Sequence, residues 1–259
     1  MSHSSNRRFI GTRTLYEKSF DAFVNAHVYI IGVGGVGSWA VEALARTGIG
    51  ALTLVDLDVL VESNVNRQLP ALTQTFGISK IEEMANRAKN INPDINIFLV
   101  DDFLNSNNVQ DILPNKQTIM QLRQQNKLII VLDCTDDIQA KLAIALHCRF
   151  NKIKLIISGG AGGKIDPTKI GVADLKEVTH DPLLAKLRQN LKDKNINKDL
   201  KNKFAMKCVY SNEPIKMANA CEGGLNCGGY GSAVTVTATV GMIMAAECLK
   251  MIADLTKDT

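Results

Sequence analysis

The stretch H-V-Y-I-I-G-V-G-G-V-G, residues 27–37, decides the architecture of this chain. An apolar, β-branched run at 28–31 opens directly into Gly32-x-Gly34-x-x-Gly37, and a helical pattern continues through Trp39, Ala40, Ala43 and Leu44. Strand, tight turn and helix N-terminus are contiguous. Glycines there permit the turn, let backbone N–H groups approach a phosphate, and let the helix lie close to the strand. Asp56 ends the next apolar run, at the spacing expected of a carboxylate that binds a ribose hydroxyl. The unit points to an adenine nucleotide, and residues downstream of it must separate a dinucleotide from ATP.

Toward the N-terminus, Leu15, Phe20 and Phe23 predict an amphipathic helix over about residues 13–25. Arg7, Arg8 and Arg13 flank it and, from spacing alone, read as solvated surface. The opening M-S-H-S-S-N-R-R has no apolar signal core, so a cytoplasmic location is expected. A chain of 259 residues with 46% hydrophobic and 22% charged side chains is ordinary for a soluble domain with a full core. Its six cysteines (Cys134, Cys148, Cys208, Cys221, Cys227, Cys248) include no C-x-x-C pair. That argues against structural zinc and for reduced thiols, mostly in the core.

Toward the C-terminus, the helix after the glycine turn runs to about Thr47 and ends on Gly48-Ile49-Gly50. A second strand at 51–55 completes the βαβ start of a parallel sheet. The segment D-L-D-V-L-V-E-S-N-V-N-R-Q-L (56–69) carries more than a dinucleotide site needs. Asp58, Asn64, Asn66, Arg67 and Gln68 cluster there, and Lys80 heads a helix over 80–92. A guanidinium and an ammonium beside a phosphate site suit a triphosphate and a departing pyrophosphate.

Further strands are predicted at 95–100, 128–132, 155–157 and 169–172, with an insertion-like surface segment at 104–127. Asp133-Cys134-Thr135-Asp136-Asp137 ends the fourth strand, where carboxylates face the glycine turn across one crevice. They suit magnesium, although one of them also fits the cap of a helix over 138–150. Residues 158–163, S-G-G-A-G-G, offer bare backbone to a substrate or form a loose turn.

Asp181-Pro182 begins a helix whose Leu183, Leu184, Leu187 and Leu191 form one apolar stripe. Residues 186–207 hold eight basic side chains (Lys186, Arg188, Lys192, Lys194, Lys198, Lys201, Lys203, Lys207) against two acidic ones, in a chain of formal charge +4. This segment reads equally as a polyanion contact or as a solvated lysine-rich helix and loop. The apolar stretch 233–249 is interrupted by Thr235, Thr237 and Thr239, and reads as a buried helix of the core or of a dimer interface rather than a membrane span.

The ordered set G-V-G-G-V-G (32–37), D-L-D (56–58), S-N-V-N-R-Q (63–68), Lys80 and D-C-T-D (133–136) resembles, over about residues 8–175, the adenylating enzymes of the ubiquitin-activating superfamily. Within it, the chain is similar almost to its C-terminus to the tRNA threonylcarbamoyladenosine dehydratases. That closer likeness rests on R-T-G-I-G (46–50), D-D-F (101–103), G-G-A-G-G-K-I-D-P-T (159–168), D-P-L-L-A-K-L-R (181–188), C-V-Y-S-N-E (208–213) and V-T-A-T-V-G (236–241).

The resemblance implies a Rossmann-like α/β fold, a mainly parallel sheet flanked by helices. Residues 1–175 would be the adenylation core with its N-terminal arm, and 176–259 a mixed extension packed on the same domain. Gly34, Gly35 and Gly37 would back the nucleotide, and Asp56 would bind its ribose. Asn64, Arg67 and Lys80 would hold the phosphates, with Asp58 and Gln68 in the same site, and Asp136 would carry Mg2+. A homodimer is implied, in which Arg8 or Arg13 reaches the partner's ATP.

The implied activity is ATP-dependent cyclisation of threonylcarbamoyladenosine beside the anticodon, with Lys186, Arg188, Lys192, Lys194, Lys198, Lys201 and Lys203 gripping tRNA backbone. The rival acceptor is the C-terminus of a sulfur-carrier protein. The missing cysteine pairs and the basic segment stand against it, while a cysteine-desulfurase partner stays open. An NAD-dependent oxidoreductase would have no need of Arg67, Lys80 or the Asp133–Asp136 cluster, and a nucleotide-sensing module is the remaining alternative.

Overall fold

A computed structural model describes residues 7–196, 203–215 and 231–255. Seven strands form one sheet: β1 (Ala26–Ile31), β2 (Ala51–Val55), β3 (Asn96–Val100), β4 (Leu128–Asp133), β5 (Lys154–Ser158), β6 (Ile170–Asp174) and β7 (Lys207–Ser211). Their spatial order is β3-β2-β1-β4-β5-β7-β6. Every pairing is parallel except β6 with β7. The C-terminal part thus supplies a strand, β7, inserted between β5 and β6. The order reverses at β1, which pairs with β2 on one side and β4 on the other, and a crevice opens there beyond the carboxyl ends of the strands.

The central strands are apolar on both faces because helices cover both. Ile130 and Leu132 of β4 join α3 (Gly37–Thr47), α4 (Lys80–Ile91) and α9 (Val234–Leu255) in one buried cluster. Their neighbours Ile129 and Val131 point the other way, into a second cluster with α7 (Ile138–Phe150) and α8 (Pro182–Asp193). The period of two along a strand therefore separates the two cores. Gly48 ends α3 in the left-handed region (φ +88°), as the sequence predicts.

The predicted helix over 13–25 is broken. Residues Ile10–Tyr16 form α1, Glu17–Ser19 a 3-10 turn and Phe20–Val24 α2. Glu17 sits at φ +47° at the break. Phe20 and Phe23 are core, but Leu15 is 76% exposed, because the break turns α1 out of phase with α2. The segment 104–127 holds two short helices, α5 (Val109–Ile112) and α6 (Lys116–Gln124).

Helix α9 is long and apolar enough to cross a membrane, with mean hydropathy 1.5, yet half of that window is buried inside this fold. It crosses α3 closely: a Cβ on Gly241 would lie 2.4 Å from the Val36 carbonyl oxygen.

Candidate active site

Two glycines carry the turn after β1. Gly32 (φ +85°) donates its N–H to Val55 O at 2.9 Å, and a Cβ there would stand 3.0 Å from Cys134 O. A Cβ on Gly37 would meet Gly32 O at 1.9 Å, so Gly37 is the glycine that seats α3 against β1. It lies outside the lining of the crevice, which Gly32, Gly34, Gly35 and Val36 form. The arrangement leaves the N-terminus of α3 facing a space of about 960 Å³.

Asp56 closes one side of that space. Its carboxylate is buried, with Oδ2 accepting from Val33 N at 2.7 Å and Oδ1 from Asp58 N at 3.0 Å. The strand-end carboxylate is thereby fixed to the glycine turn. Lys80, buried at the first residue of α4, places Nζ 2.6 Å from Asp58 Oδ2 and 3.9 Å from Asp56 Oδ1. Asn64 and Gln68 are buried and also line the crevice. Asn64 Oδ1 accepts from Val61 N at 3.3 Å, while Gln68 Oε1 has no hydrogen-bond partner among the described residues. The half-buried Arg67 lies across Gly35 and donates through Nη1 to Ser63 O at 2.8 Å and Asn66 Oδ1 at 2.9 Å.

The three aspartates after β4 separate. Asp136 lines the crevice as an exposed carboxylate with no hydrogen bond or ion pair among the described residues. Asp137 also lines it, but its Oδ1 caps α7 by accepting from Ala140 N at 2.7 Å. Asp133 does not face the crevice, contrary to the expectation for the group. It is fully buried beneath the crevice, with Oδ1 3.1 Å from the equally buried Lys141 Nζ. An ammonium one turn into α7 draws that carboxylate inward, and the same oxygen accepts from the Thr135 hydroxyl at 2.7 Å.

The N-terminal arginines stand elsewhere. Arg8 Nη1 donates to the Asn90 and Ile91 carbonyls at the end of α4, both at 3.2 Å. Arg13 pairs with Asp21 at 3.5 Å and lies over the Phe20 ring. Of the basic segment, Lys186, Lys192, Lys194 and Lys203 are exposed, and Lys198 and Lys201 lie outside the described residues. Arg188 is folded inward, its Nη1 donating to the Leu175, Lys176 and Val178 carbonyls. Lys207 pairs with Glu247.

Comparison with known proteins fits this geometry. The ThiF family model matches residues 6–259. The chain belongs to the ThiF family. It is 42% identical to the tRNA threonylcarbamoyladenosine dehydratase of Escherichia coli, over 96% of this chain and 95% of that one. The crystal structure of the E. coli tRNA N6-threonylcarbamoyladenosine dehydratase in complex with ATP superposes with a TM-score of 0.87 at 40% identity, covering 100% of this chain and 98% of that one. A molybdopterin-synthase adenylyltransferase of Haemophilus influenzae is 28% identical over 74% of each chain.

Several residues in and around this ThiF-family crevice escape a reading of the sequence. Asp181 is legible as the cap of α8, whose Leu184 N donates to its Oδ1 at 2.9 Å. Its Oδ2 also accepts from Gly160 N at 2.9 Å, which ties the glycine loop to the helix. Gly159 is required there, since a Cβ would sit 2.1 Å from that oxygen. Leu183, expected in the apolar stripe, lines the crevice instead. Lys164 is buried with Nζ donating to the His180 carbonyl at 3.0 Å, the Ser211 carbonyl at 3.2 Å and the Glu213 carbonyl. Burial lowers its pKa, opposed by the nearby Asp181 and Glu213 carboxylates. No spacing rule finds such a lysine, because its acceptors come from separate segments.

Cys134, Cys148, Cys208 and Cys248 are free, and burial drives all four thiols far above their ordinary pKa. None of these four is poised as a thiolate. Cys221 and Cys227 lie outside the described residues.

Proposed function

We propose that this ThiF-family chain is an ATP-dependent tRNA threonylcarbamoyladenosine dehydratase. One juxtaposition carries the reading. Arg67, Lys80 and the unpaired Asp136 surround the glycine turn, while residues 158–162 line the same crevice with bare backbone. The first group suits a nucleoside triphosphate, and the second leaves room for an acceptor.

The fit is chemical as well as spatial. Gln68 Oε1 is a buried acceptor with no partner, beside Gly34. Asp136 is an exposed carboxylate of the same crevice, unpaired among the described residues. Among the described residues no cluster of three His, Cys, Asp or Glu side chains could hold a metal alone. The single carboxylate of Asp136 suits Mg2+, which takes one or two carboxylates together with phosphate oxygens. Asp136 would hold the ion, and the ion would offset phosphate charge.

In the proposed reaction, a threonyl carboxylate oxygen bonds to the α-phosphorus of ATP and pyrophosphate leaves. The poor oxide leaving group is thereby exchanged for AMP. A nucleophile of the same side chain then attacks the acyl carbon, gives up its proton and expels AMP, which closes the ring with net loss of water. Arg67 and Lys80 stabilise the charge that builds on the β- and γ-phosphates. Asp58 holds the Lys80 ammonium in place at 2.6 Å. Ring closure rests mainly on proximity, and no described histidine lines the crevice.

The rival acceptor, a sulfur-carrier C-terminus, is less well supported. Identity is 42% to the E. coli dehydratase and 28% to the H. influenzae adenylyltransferase. We further propose a cytoplasmic homodimer in which Arg8 or Arg13 serves the partner's crevice, since neither lines its own. A cysteine-desulfurase partner is compatible with this arrangement. The exposed Lys186, Lys192, Lys194 and Lys203 would contact tRNA backbone.

Exchange of labelled pyrophosphate into ATP tests the assignment. Exchange is expected only with tRNA carrying threonylcarbamoyladenosine. Exchange driven instead by a small carrier protein, or none with either acceptor, would overturn it.

A further inference from the structure

The charges of the central layer are segregated along the strand axis. From residue 112 to 132 and again from 138 to 165 the chain contains no aspartate or glutamate. The acids between those stretches, Asp133, Asp136 and Asp137, all lie at the carboxyl end of β4. The cations of the same stretches, apart from the buried Lys141 and Lys164, lie toward the other end. Lys116 and Arg123 stand on α6, Lys127 precedes β4, Arg149 lies in the last turn of α7, and Lys152 and Lys154 lead into β5.

None of these six is in an ion pair among the described residues, and only Arg123 makes a side-chain hydrogen bond, from Nη2 to Lys152 O at 3.0 Å. Five of the six are exposed, and Arg149 is half-buried. Arg123, Arg149, Lys152 and Lys154 line a cavity of about 1280 Å³ at the amino ends of the strands. The acids on its far wall are already engaged. Asp21 pairs with Arg13, and Glu247 pairs with Lys207. Asp174 accepts from the backbone of Lys176, Phe204 and Met206. The corner therefore presents more cations than acids, and none of these six cations is in an ion pair among the described residues.

Its position relative to the crevice matters. Helices α7 and α8 both begin at the crevice, at Asp137 and Pro182, and pack against each other. They run side by side for about 20 Å and end at this corner. The exposed Lys192 and Lys194 stand at the end of α8. A polyanion held at the corner would thus extend along the outside of two helices that lead to the catalytic end.

We propose that the α6–β4 and α7–β5 corner is a second RNA-backbone contact, gripping the stem of the tRNA whose anticodon loop occupies the crevice. The proposal rests on the dehydratase reading. It assigns stem contact to Arg123, Lys127, Lys152 and Lys154 in addition to the basic segment of α8. The contact is electrostatic and independent of sequence, so its mark is salt dependence.

The test compares the unmodified protein with a variant carrying Arg123→Gln, Lys127→Gln, Lys152→Gln and Lys154→Gln. Each is titrated over a range of salt with full-length tRNA and with an anticodon-loop oligonucleotide lacking the stem. For tRNA the variant is expected to bind about tenfold more weakly near 0.1 M salt, with a log–log salt slope shallower by about 2–3. Its affinity for the oligonucleotide, its ATP binding and its thermal midpoint should be unchanged. Equal losses for tRNA and oligonucleotide, or no loss with either, would overturn the stem contact while leaving the dehydratase reading intact. Competition by poly-glutamate as effective as that by tRNA would also overturn it, marking a site for acidic protein. Failure of the unmodified protein to bind either RNA would overturn both readings.

Discussion

At the carboxyl ends of the strands, helices α3, α4, α7 and α8 all present their N-termini to one crevice, and nearly every charge there has a named partner. At the amino ends the cavity is larger, about 1280 against 960 Å³, its floor is apolar, and Arg123, Arg149, Lys152 and Lys154 on its wall are in no ion pair among the described residues. The larger hollow is not where the chemistry is proposed. Parallel strands joined by helices collect helix N-termini, with their unpaired N–H groups, at the carboxyl edge, and helix C-termini at the amino edge. An anionic nucleotide is drawn to the first, and lysine and arginine side chains to the second. Volume records only where packing stops.

Substitutions at the two ends should therefore separate loss of fold from loss of activity. The largest effect is expected beneath the crevice, where Lys141→Met leaves Asp133 buried without its counter-charge. That should cost about 3–5 kcal/mol in urea unfolding, with at least half recovered in the Asp133→Leu/Lys141→Met double variant. Recovery of nothing would mean that Lys141 stabilises by packing alone.

Lys80→Met, on the crevice wall, should lower tRNA-dependent pyrophosphate exchange by about 100–1,000-fold while destabilising the fold less than Lys141→Met does. Full exchange in that variant would remove Lys80 from the phosphate site.

The amino end should answer to pH. His27 lies near the start of β1, shares a 2.7 Å hydrogen bond with Thr53 Oγ1, and has its pKa lowered to about 4 by burial and then by the charge of Lys127. The unfolded chain binds a proton near pH 6.5, which the folded chain refuses until about pH 4. Stability is thus fully present above 6.5 and declines as pH falls toward 4. The drop between pH 7.5 and 5 should be about 2 kcal/mol and should vanish in His27→Gln.

Arg8→Ala is expected to have the smallest effect on stability, about 1 kcal/mol or less, since it removes two exposed carbonyl contacts at the end of α4. A much larger fall in exchange than in stability would assign that arginine to the partner's crevice.

The fold is legible where a local pattern has one structural solution. The run 28–31, the turn glycines and Gly48 mark β1, the turn and the end of α3, although β1 begins two residues earlier, at Ala26. The stretch 56–68 and Lys80 mark one wall of the crevice, because those residues reach it from the ends of β2 and α4. The aspartates after β4 are legible only as a group. Which one stays free depends on Lys141, four residues beyond Asp137 and otherwise an ordinary helical lysine. The N-terminal helix reads as unbroken because Leu15 fits the period of Phe20 and Phe23. The turn at Glu17, a positive-φ position without glycine, has no mark in the sequence. Arg188 counts as one more cation of a basic run, although three backbone carbonyls hold it inward.

By itself, the sequence determined the βαβ start, the glycine turn, the nucleotide class and the family, since these depend on contacts between residues close along the chain. Only the tertiary structure decided that Asp133 is internal while Asp136 lines the crevice, that Asp181 fastens the glycine loop while Lys164 joins the segments around His180, Ser211 and Glu213, and that the cations of α6, α7 and the β5 lead-in share one corner. Those outcomes depend on groups brought together from distant segments. Whether such a charge is paired, capped or left to solvent is settled by burial and by the neighbour that arrives beside it.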